Sequence, residues 1–515
     1  MFLKCVQVPN FRALKNTDIS FESQLQPHIF PLGSQNGGGK STLLQLIFAL
    51  LHCSRNPERH SIITNLLQNI TFPIGQNNLL LATFSLISDT GKEISLSFSY
   101  CSDKFLKSID SSDVEGINYR ESDLSFSFLD KLDIAKKEVD VLASKIALSR
   151  KILAQLLIIS SSNLNDGSKL EEVIALFENK KSYDGYDEIL GINEYSDSSF
   201  RKGSHRGSLV RWISDRNIDD LISRVTNSIE ILETSLEKSE NHKALSLLGY
   251  QRTRKIIDKS EYRHILNFSP KGNDSSYSAL LYSTDSVMES LEVEELLDSV
   301  SDKIFLAMPS TQICLFAAEK SRKSLFKSSP MFHENYYNEI NKCKKICPNL
   351  FTYDFLNVDV LVDSFRDARD RDFRIAVETH EYGNHYQNLV ENLNSALNGK
   401  TLNVESDLSG VKFSISDGDV KTDIYPEDLS HGELKRLCIY MWLHHCKVEK
   451  SIVLMDEIEL ALHPDWQYQI VKDLVEWGPT NQYILATHSY SLCEALTPAH
   501  VKEIPTQPLS SSSSK

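Results

Sequence analysis

Nowhere in the 515 residues does an apolar run reach the roughly 18 residues needed to cross a bilayer, so no membrane helix is expected. The opening Met1-Phe2-Leu3-Lys4-Cys5 lacks a basic stretch followed by a long apolar core, which argues against a secretory leader. Basic residues are in deficit, 55 Lys and Arg against 70 Asp and Glu, for a formal charge of −15. That speaks against a surface coated for loose nucleic-acid binding. A local basic groove stays open, because phosphate affinity rests on a few well-placed cations. A paired cysteine framework is missing too. The nine cysteines (Cys5, Cys53, Cys101, Cys314, Cys343, Cys347, Cys438, Cys446, Cys493) are scattered and odd in number, as in a reduced, cytoplasmic protein. Cys343 and Cys347 have no second ligand pair and make a poor zinc site. His444-His445-Cys446 lies in an apolar helical stretch and reads as core or helix surface. With 41% hydrophobic and 24% charged residues, the chain has the composition of an ordinary globular protein.

Periodicity and turn signals divide what is present into three zones. The first, 1–150, opens with strand-like segments at Phe2 to Val8 and Thr17 to Phe21. The apolar run His28 to Leu32 then enters a glycine-rich loop and an apolar helix, Ser41 to Leu51. Strands are expected at Asn78 to Ser88 and Glu93 to Tyr100, about the turn Asp89-Thr90-Gly91. The second zone, 151–400, reads as mainly helical. In it Ile218, Leu221, Ile222, Val225, Ile229, Leu232 and Leu236 form one helix face. The plainer reading is a core-facing or hairpin helix; the sharper one is a short coiled-coil arm about 30 Å long at ~1.5 Å per residue. Pro270 to Ser278 reads as an exposed loop. Ile304 to Met308 and Ile313 to Phe316 read as buried strands or a helix start, which periodicity alone does not separate. The third zone, 401–505, returns to a hairpin, Gly410 to Ile415 and Val420 to Ile424 about Asp417-Gly418. Helix, apolar strand, helix and apolar strand follow. Residues 506–515, with their serine run, read as a disordered tail.

The strongest chemical signal is Gly33-Ser34-Gln35-Asn36-Gly37-Gly38-Gly39-Lys40-Ser41-Thr42. A phosphate loop needs glycines so that successive backbone N–H groups can face the β-phosphate. It also needs a lysine for the β- and γ-phosphates and a Ser or Thr hydroxyl for Mg²⁺. Asn36, Gly37, Gly38, Gly39, Lys40, Ser41 and Thr42 are the nucleotide-binding candidates, and the helix behind them turns its positive end toward the phosphates. The motif's first glycine falls on Ser34, with Gly33 displaced by one. Downstream, the apolar run Ser451 to Met455 ends in Asp456-Glu457, which is the Walker B layout. Asp456 is the candidate to hold Mg²⁺ together with Ser41, and Glu457 to orient or deprotonate the attacking water. The bland alternative is a strand that happens to end in two acids. A second apolar strand, Tyr483 to Thr487, delivers His488, placed to reach the γ-phosphate and the water. Between them, Leu429-Ser430-His431-Gly432-Glu433 begins a helix. As chemistry it is at least a capping box, Ser430 with Glu433 three residues on.

The order and spacing of these pieces resemble the ABC-type ATPases of the RecF/SMC class. The resemblance covers roughly the first 100 and last 110 residues and implies an α/β fold: a split ABC-type P-loop ATPase head, N- and C-terminal lobes, with a large mainly helical insertion. It makes Ser430, His431, Gly432 and Glu433 the signature, acting on nucleotide held by a second chain, and so implies a homodimer or higher homo-oligomer. Val6-Gln7-Val8-Pro9-Asn10-Phe11-Arg12 looks like the first strand of that class, where an arginine commonly contacts nucleotide; Arg12 is the candidate. Glu457-Ile458-Glu459-Leu460-Ala461-Leu462-His463-Pro464-Asp465-Trp466-Gln467 is similar to a stretch of the overcoming-lysogenization-defect and related defence ATPases, with Ile458 in place of the usual proline. Those nucleases continue past the histidine into a Toprim domain, whereas this chain stops soon after His488, and the nuclease is expected to be missing. A head with an insertion of this size looks most like the PtuA family of Septu-type anti-phage systems, also found beside retron reverse transcriptases. Glu381 to Tyr386 and Asn398-Gly399-Lys400 add to that resemblance. It implies ATP and Mg²⁺ as cofactors, a separate HNH nuclease (PtuB-like) as partner, and a reverse transcriptase, retron DNA and other nucleic acid in the complex, away from any membrane. A RecF-like DNA-repair ATPase and a PARIS-type defence ATPase share the head and stay open as alternatives. A transporter subunit fits poorly with the distance from Lys40 to Ser430.

Overall fold

The computed structural model describes residues 1–34, 37–68, 70–109, 124–178, 189–190, 212–269, 276–285, 290–324, 331–353, 358–395, 397, 399–417, 420–425 and 428–505. The chain forms two compact units, one of Met1–Cys101, Glu261–Phe268 and Ala279–Lys515, the other of Ser102–Ser260 and Ser269–Ser278.

The first unit is built on a six-stranded sheet in the order Lys502–Glu503, Ile29–Gly33, Gln482–Ala486, Ile452–Asp456, Ile304–Met308, Leu350–Thr352, with every neighbouring pair parallel. Parallel strands covered on both faces read as unbroken apolar runs, and side chains alternate between faces along each strand. Both rules are visible here. Phe30, Leu32, Ile304, Leu306, Ile452, Leu454, Ile484 and Ala486 enter one core, with the helix Lys40–His52. Ile29, Phe305, Ala307, Val453, Met455, Tyr483 and Leu485 enter the other, with Ile439, Trp442 and Leu443 of the helix His431–His445 and Ile470, Val471 and Leu474 of the helix Pro464–Trp477.

The helix Lys40–His52 is buried from Leu43 through His52 on every side, as its all-round apolar sequence requires. Its other flank meets a second six-stranded sheet, ordered Leu14–Ser20, Phe2–Phe11, Asn78–Ile87, Glu93–Ser102, Ser278–Thr284, Tyr262–Phe268. Val6, Val8, Leu81, Phe84, Leu96 and Phe98 of that sheet share the first core. A three-stranded antiparallel sheet, Lys400–Val404, Val411–Asp417 and Val420–Ile424, completes the unit. It packs with the helices Val358–Thr379 and His385–Ser395 and with Leu437, Tyr440 and Met441 of the helix His431–His445.

In the second unit the helices Ser127–Ser161 and Ile218–Lys259 run antiparallel. Thr253 Oγ1 donates to the Ser125 carbonyl at 3.3 Å, and Arg150 pairs with Glu233 further along. The 42-residue helix is about 60 Å long at ~1.5 Å per residue. At its far end Ile152, Leu156, Val173, Phe177, Trp212, Leu221 and Val225 enclose a small core of their own.

This division differs from the boundaries expected at 150 and 400. Residue 150 falls inside the helix Ser127–Ser161, so the helical arm begins some way before it. Within 151–400, Ile304–Met308 is a buried strand beside Ile452–Asp456, and the helices Val358–Thr379 and His385–Ser395 belong to the core of the C-terminal lobe. The arm is also twice the expected length. Beyond Leu236 its buried line is Ser239, Ser246, Gly249 and Thr253, which carry no hydropathy signal, before Ile257 at the last turn. They are small because the helices lie close: a Cβ on Gly249 would sit 2.5 Å from the Phe128 ring. The tail 506–515 and most of the loop expected from Pro270 lie outside the described residues. Among the described residues no helix is long and apolar enough to cross a membrane.

Candidate nucleotide site

The parallel sheet brings three strand ends together. Ile29–Gly33 leads into the phosphate loop, Ile452–Asp456 ends in the acids, and Gln482–Ala486 precedes His488. Gly37 (φ 78°) and Gly39 (φ 93°) adopt the left-handed backbone that glycine alone enters freely. Gly39 is also pinned by space, since a Cβ there would lie 2.7 Å from the Leu14 side chain. Gly39 caps the helix Lys40–His52 without a side-chain hydrogen bond, and no acid occupies the first turn. The helix's free amides and positive end are therefore available to an anion. Ser41 and Thr42 lie in that turn. Asn36 lies outside the described residues.

Lys40 is nearly buried, and its Nζ donates to the Ser34 carbonyl (3.1 Å) and to Ser34 Oγ (3.2 Å). The residue standing at the motif's first glycine thus supplies resting partners for the lysine. Nζ also lies 3.5 Å from His488 Nδ1. Burial lowers the Lys40 pKa, against the opposing pull of Glu459, Asp456 and Glu457.

Ser41 Oγ donates to Asp456 Oδ1 at 3.0 Å, while Asp456 Oδ2 is buried without a partner. Burial, with Glu457 and Glu459 adding repulsion, pushes the Asp456 carboxyl up to about 7 despite the Ser41 hydrogen bond. A buried carboxylate with an orphaned oxygen beside a hydroxyl is the oxygen-rich, half-satisfied arrangement that a hard divalent cation completes.

Glu457 follows in a left-handed turn (φ 49°), with its N–H on the Ala486 carbonyl at 2.9 Å. Its own carbonyl accepts from Lys435 Nζ at 2.9 Å, and the same ammonium reaches the Leu460 carbonyl at 3.2 Å. Lys435 stands on the helix His431–His445 and lies 4.2 Å from the Tyr353 ring centroid.

Two residues were not singled out by sequence reasoning. Glu459 Oε1 accepts the His488 N–H at 2.6 Å, and its Oε2 is buried without a partner. It contributes the largest attraction among the acids around Lys40. Its available signal was its place two residues past Glu457. Lys435 carried none, because a lysine one turn into an amphipathic helix ordinarily faces water.

Ser430 caps the helix His431–His445 in a reciprocal box, its Oγ accepting the Glu433 N–H at 3.3 Å and Glu433 Oε2 accepting the Ser430 N–H at 2.8 Å. Lys400 Nζ donates to the same carboxylate oxygen at 2.7 Å and, with Ser430, outweighs burial to hold Glu433 below its ordinary pKa. Gly432 has no room for a side chain: a Cβ would lie 2.8 Å from the Trp466 ring. No hydrogen bond or ion pair among the described residues joins Ser430, His431, Gly432 or Glu433 to the phosphate loop of their own chain.

Arg12 follows the first strand, Phe2–Phe11. Its turn (φ 52°) packs on the loop through Ala13 and Leu14, and the guanidinium donates to the Leu66 carbonyl at 2.7 Å. Beside the loop, a cleft of about 820 Å³ is lined by Gly33, Ser34, His488, Tyr490, Cys493 and Glu503, among others.

The chain is similar to known proteins over very different shares of its length. The retron Vc95 probable ATPase of Vibrio cholerae serotype O1 biovar El Tor is 47% identical over 54 residues, 10% of this chain and 10% of its own length. The retron Ec83 probable ATPase of Escherichia coli is 44% identical over 46 residues, 9% of this chain and 8% of its own. The chain thus spans about a tenth of the curated relatives it matches. Among solved structures, the Smc head domain with an extended coiled coil, bound to the C-terminal domain of ScpA, from Pyrococcus furiosus aligns over 99% of this chain and 96% of its own, at 12% identity and a TM-score of 0.31. The Smc head domain with a coiled coil and joint from Pyrococcus yayanosii gives 99% and 97%, 11% and 0.30. Both are too remote to bear on the site. The AAA ATPase domain family matches residues 1–493, and the chain belongs to that family.

Proposed function

We propose that the protein is the ATP-binding and ATP-hydrolysing subunit of an anti-phage defence complex, holding and regulating a separate HNH nuclease in the cytoplasm. The observation that carries the ATPase reading is the convergence of Lys40, Ser41, Asp456, Glu459 and His488 at three parallel strand ends. Gly37, Gly38, Gly39, Lys40 and Thr42 cradle the phosphates, with Asn36 expected to join them. Ser41 and Asp456 hold Mg²⁺, which when bound neutralises phosphate charge. Lys40 leaves Ser34 for the phosphates. Glu457, its backbone fixed by Lys435, takes a proton from the attacking water, and His488, tied to Glu459, faces the γ-phosphate.

Hydrolysis needs two copies in this reading, because among the described residues no hydrogen bond or ion pair joins Ser430 or Gly432 to the phosphate loop of their own chain. Ser430→Arg should leave ATP binding intact and abolish turnover; full turnover by a dilute monomer would sink the idea. The defence reading is supported by the retron-associated relatives, short as those matches are, and by the resemblance to the PtuA family. A reverse transcriptase and its DNA are the further partners it suggests.

The arm in the second unit is the proposed seat of the nuclease. Ile134, Val141, Leu245 and Leu248 are exposed on it, and a partner is regulated by nucleotide only if it binds the two head states with different affinity. The test is reconstitution. With Mg²⁺ and ATP the purified chain should leave DNA and RNA intact, and nuclease activity should appear on adding a PtuB-like HNH protein. Robust cutting by the chain alone would overturn the partner assignment while leaving the ATPase reading standing.

A further inference from the structure

The far end of the helix Lys40–His52 holds a second buried cluster of reactive groups that nucleotide chemistry does not use. Cys53, the residue that closes that helix, and Cys347, just past the helix Met331–Ile346, are both fully buried, with their sulfurs 3.8 Å apart. His52 is buried beside them. Its Nδ1 lies 2.6 Å from the Ser301 carbonyl, and its Nε2 makes no aligned hydrogen bond. Arg59 bridges the two segments, donating from Nη1 to the His52 carbonyl (3.3 Å) and from Nε to the Ile346 carbonyl (3.3 Å). A thiol pair in an apolar core needs neither a guanidinium nor an imidazole with one nitrogen left without an aligned partner, and such buried polar atoms are costly.

We propose that Cys53 and Cys347 form a peroxide-oxidisable site that closes to an intrachain disulfide. The two sulfurs are unequal partners. The Cys53 thiol, His52 and Arg59 together draw the Cys347 thiol down against the effect of burial, whereas burial pushes Cys53 up. The nucleophile is thus the Cys347 thiolate. It attacks one oxygen of hydrogen peroxide, the O–O bond breaks, and hydroxide leaves, giving the sulfenic acid. Cys53 sulfur then bonds to Cys347 sulfur, the S–O bond breaks, and the Cys53 proton leaves with the oxygen as water. Two thiols lose two electrons, and one peroxide becomes two waters. The sulfurs must close from 3.8 Å to about 2.05 Å. The bond would fasten the end of the phosphate-loop helix to the chain entering the edge strand Leu350–Thr352.

Burial sets the choice of oxidant: peroxide is neutral and little larger than water, whereas oxidised glutathione cannot enter a sealed core. The experiment treats the folded full-length protein with hydrogen peroxide, blocks free thiols under denaturing conditions, and maps peptides by mass spectrometry. The expected result is one Cys53–Cys347 linked peptide, reversed by dithiothreitol and lost in Cys53→Ser and Cys347→Ser. In Cys343→Ser, one turn earlier on the same helix, the link should persist. Wild-type protein in which both thiols stay free after peroxide, or a link from Cys53 to Cys343 instead, would overturn the proposal. The wild-type map is decisive even if a variant fails to fold.

Discussion

Asp456→Asn tests the electrostatics of the nucleotide site most directly. Asp456 is buried, one oxygen accepts from Ser41, and the other has no partner. Its carboxyl is pushed from the ordinary 3.8 to about 7, chiefly by burial. Each tenfold difference in proton affinity between folded and unfolded chain is worth about 1.4 kcal/mol, so the charged form costs the folded state about 4 kcal/mol. The folded chain binds this proton more tightly than the unfolded one. The stabilising proton is fully present below pH 3.8 and is lost as pH rises toward about 7. Asparagine keeps the acceptor for Ser41 and removes the charge. Without nucleotide or divalent cation the variant should therefore be more stable than wild type by about 2–4 kcal/mol near pH 8, with the gap narrowing to below about 2 kcal/mol near pH 5. Urea denaturation at the two pH values, read from the transition of the head, measures it. Adding Mg²⁺ and ATP should reverse the order, because only the carboxylate gains from the cation. A variant that is less stable than wild type at pH 8 without ligands, or a gap that ignores pH, would refute the reasoning.

Glu457→Gln keeps shape and hydrogen bonding but cannot take a proton from water; it should retain ATP and elute as a closed dimer with Mg²⁺ and ATP on size exclusion. Lys40→Ala should instead lose ATP binding and stay in the nucleotide-free form. Lys435→Met removes the ammonium that holds the Glu457 and Leu460 carbonyls, and should lower kcat about tenfold or more with ATP affinity nearly unchanged, since charged hydrogen bonds are worth about 1.5–3 kcal/mol each. Turnover assays with parallel titration of a fluorescent nucleotide separate the two effects. Gly432→Ala drives a methyl toward Trp466 and should cost about 1–3 kcal/mol of stability, the usual range for overpacking, seen as a lower melting temperature.

The phosphate loop, the two acids of the central strand and His488 were legible from residue order because their chemistry is local. A lysine flanked by glycines before an apolar helix, and acids at the end of an apolar run, have few other uses. The antiparallel strands from Asn78 and Glu93 were equally plain from their turn residues. What the tertiary structure decided was everything set by partners distant in sequence. Ile304–Met308 looks like any short apolar run until it pairs with Ile452–Asp456, and the arm's length was hidden because its close-packed stretch from Ser239 to Thr253 is lined by serine, glycine and threonine. Glu459 and Lys435 acquire their roles only when the turn after Asp456 folds back, setting one against the His488 amide and the other against the Glu457 carbonyl. Arg12 combines both. Its place at the end of the first strand was readable, whereas its turn against Gly39 and its hydrogen bond to the Leu66 carbonyl appear only in the folded chain. Local sequence determines which residues carry charge and where the backbone turns, whereas burial, and with it the proton affinity and reactivity of those groups, exists only once the chain has closed around them.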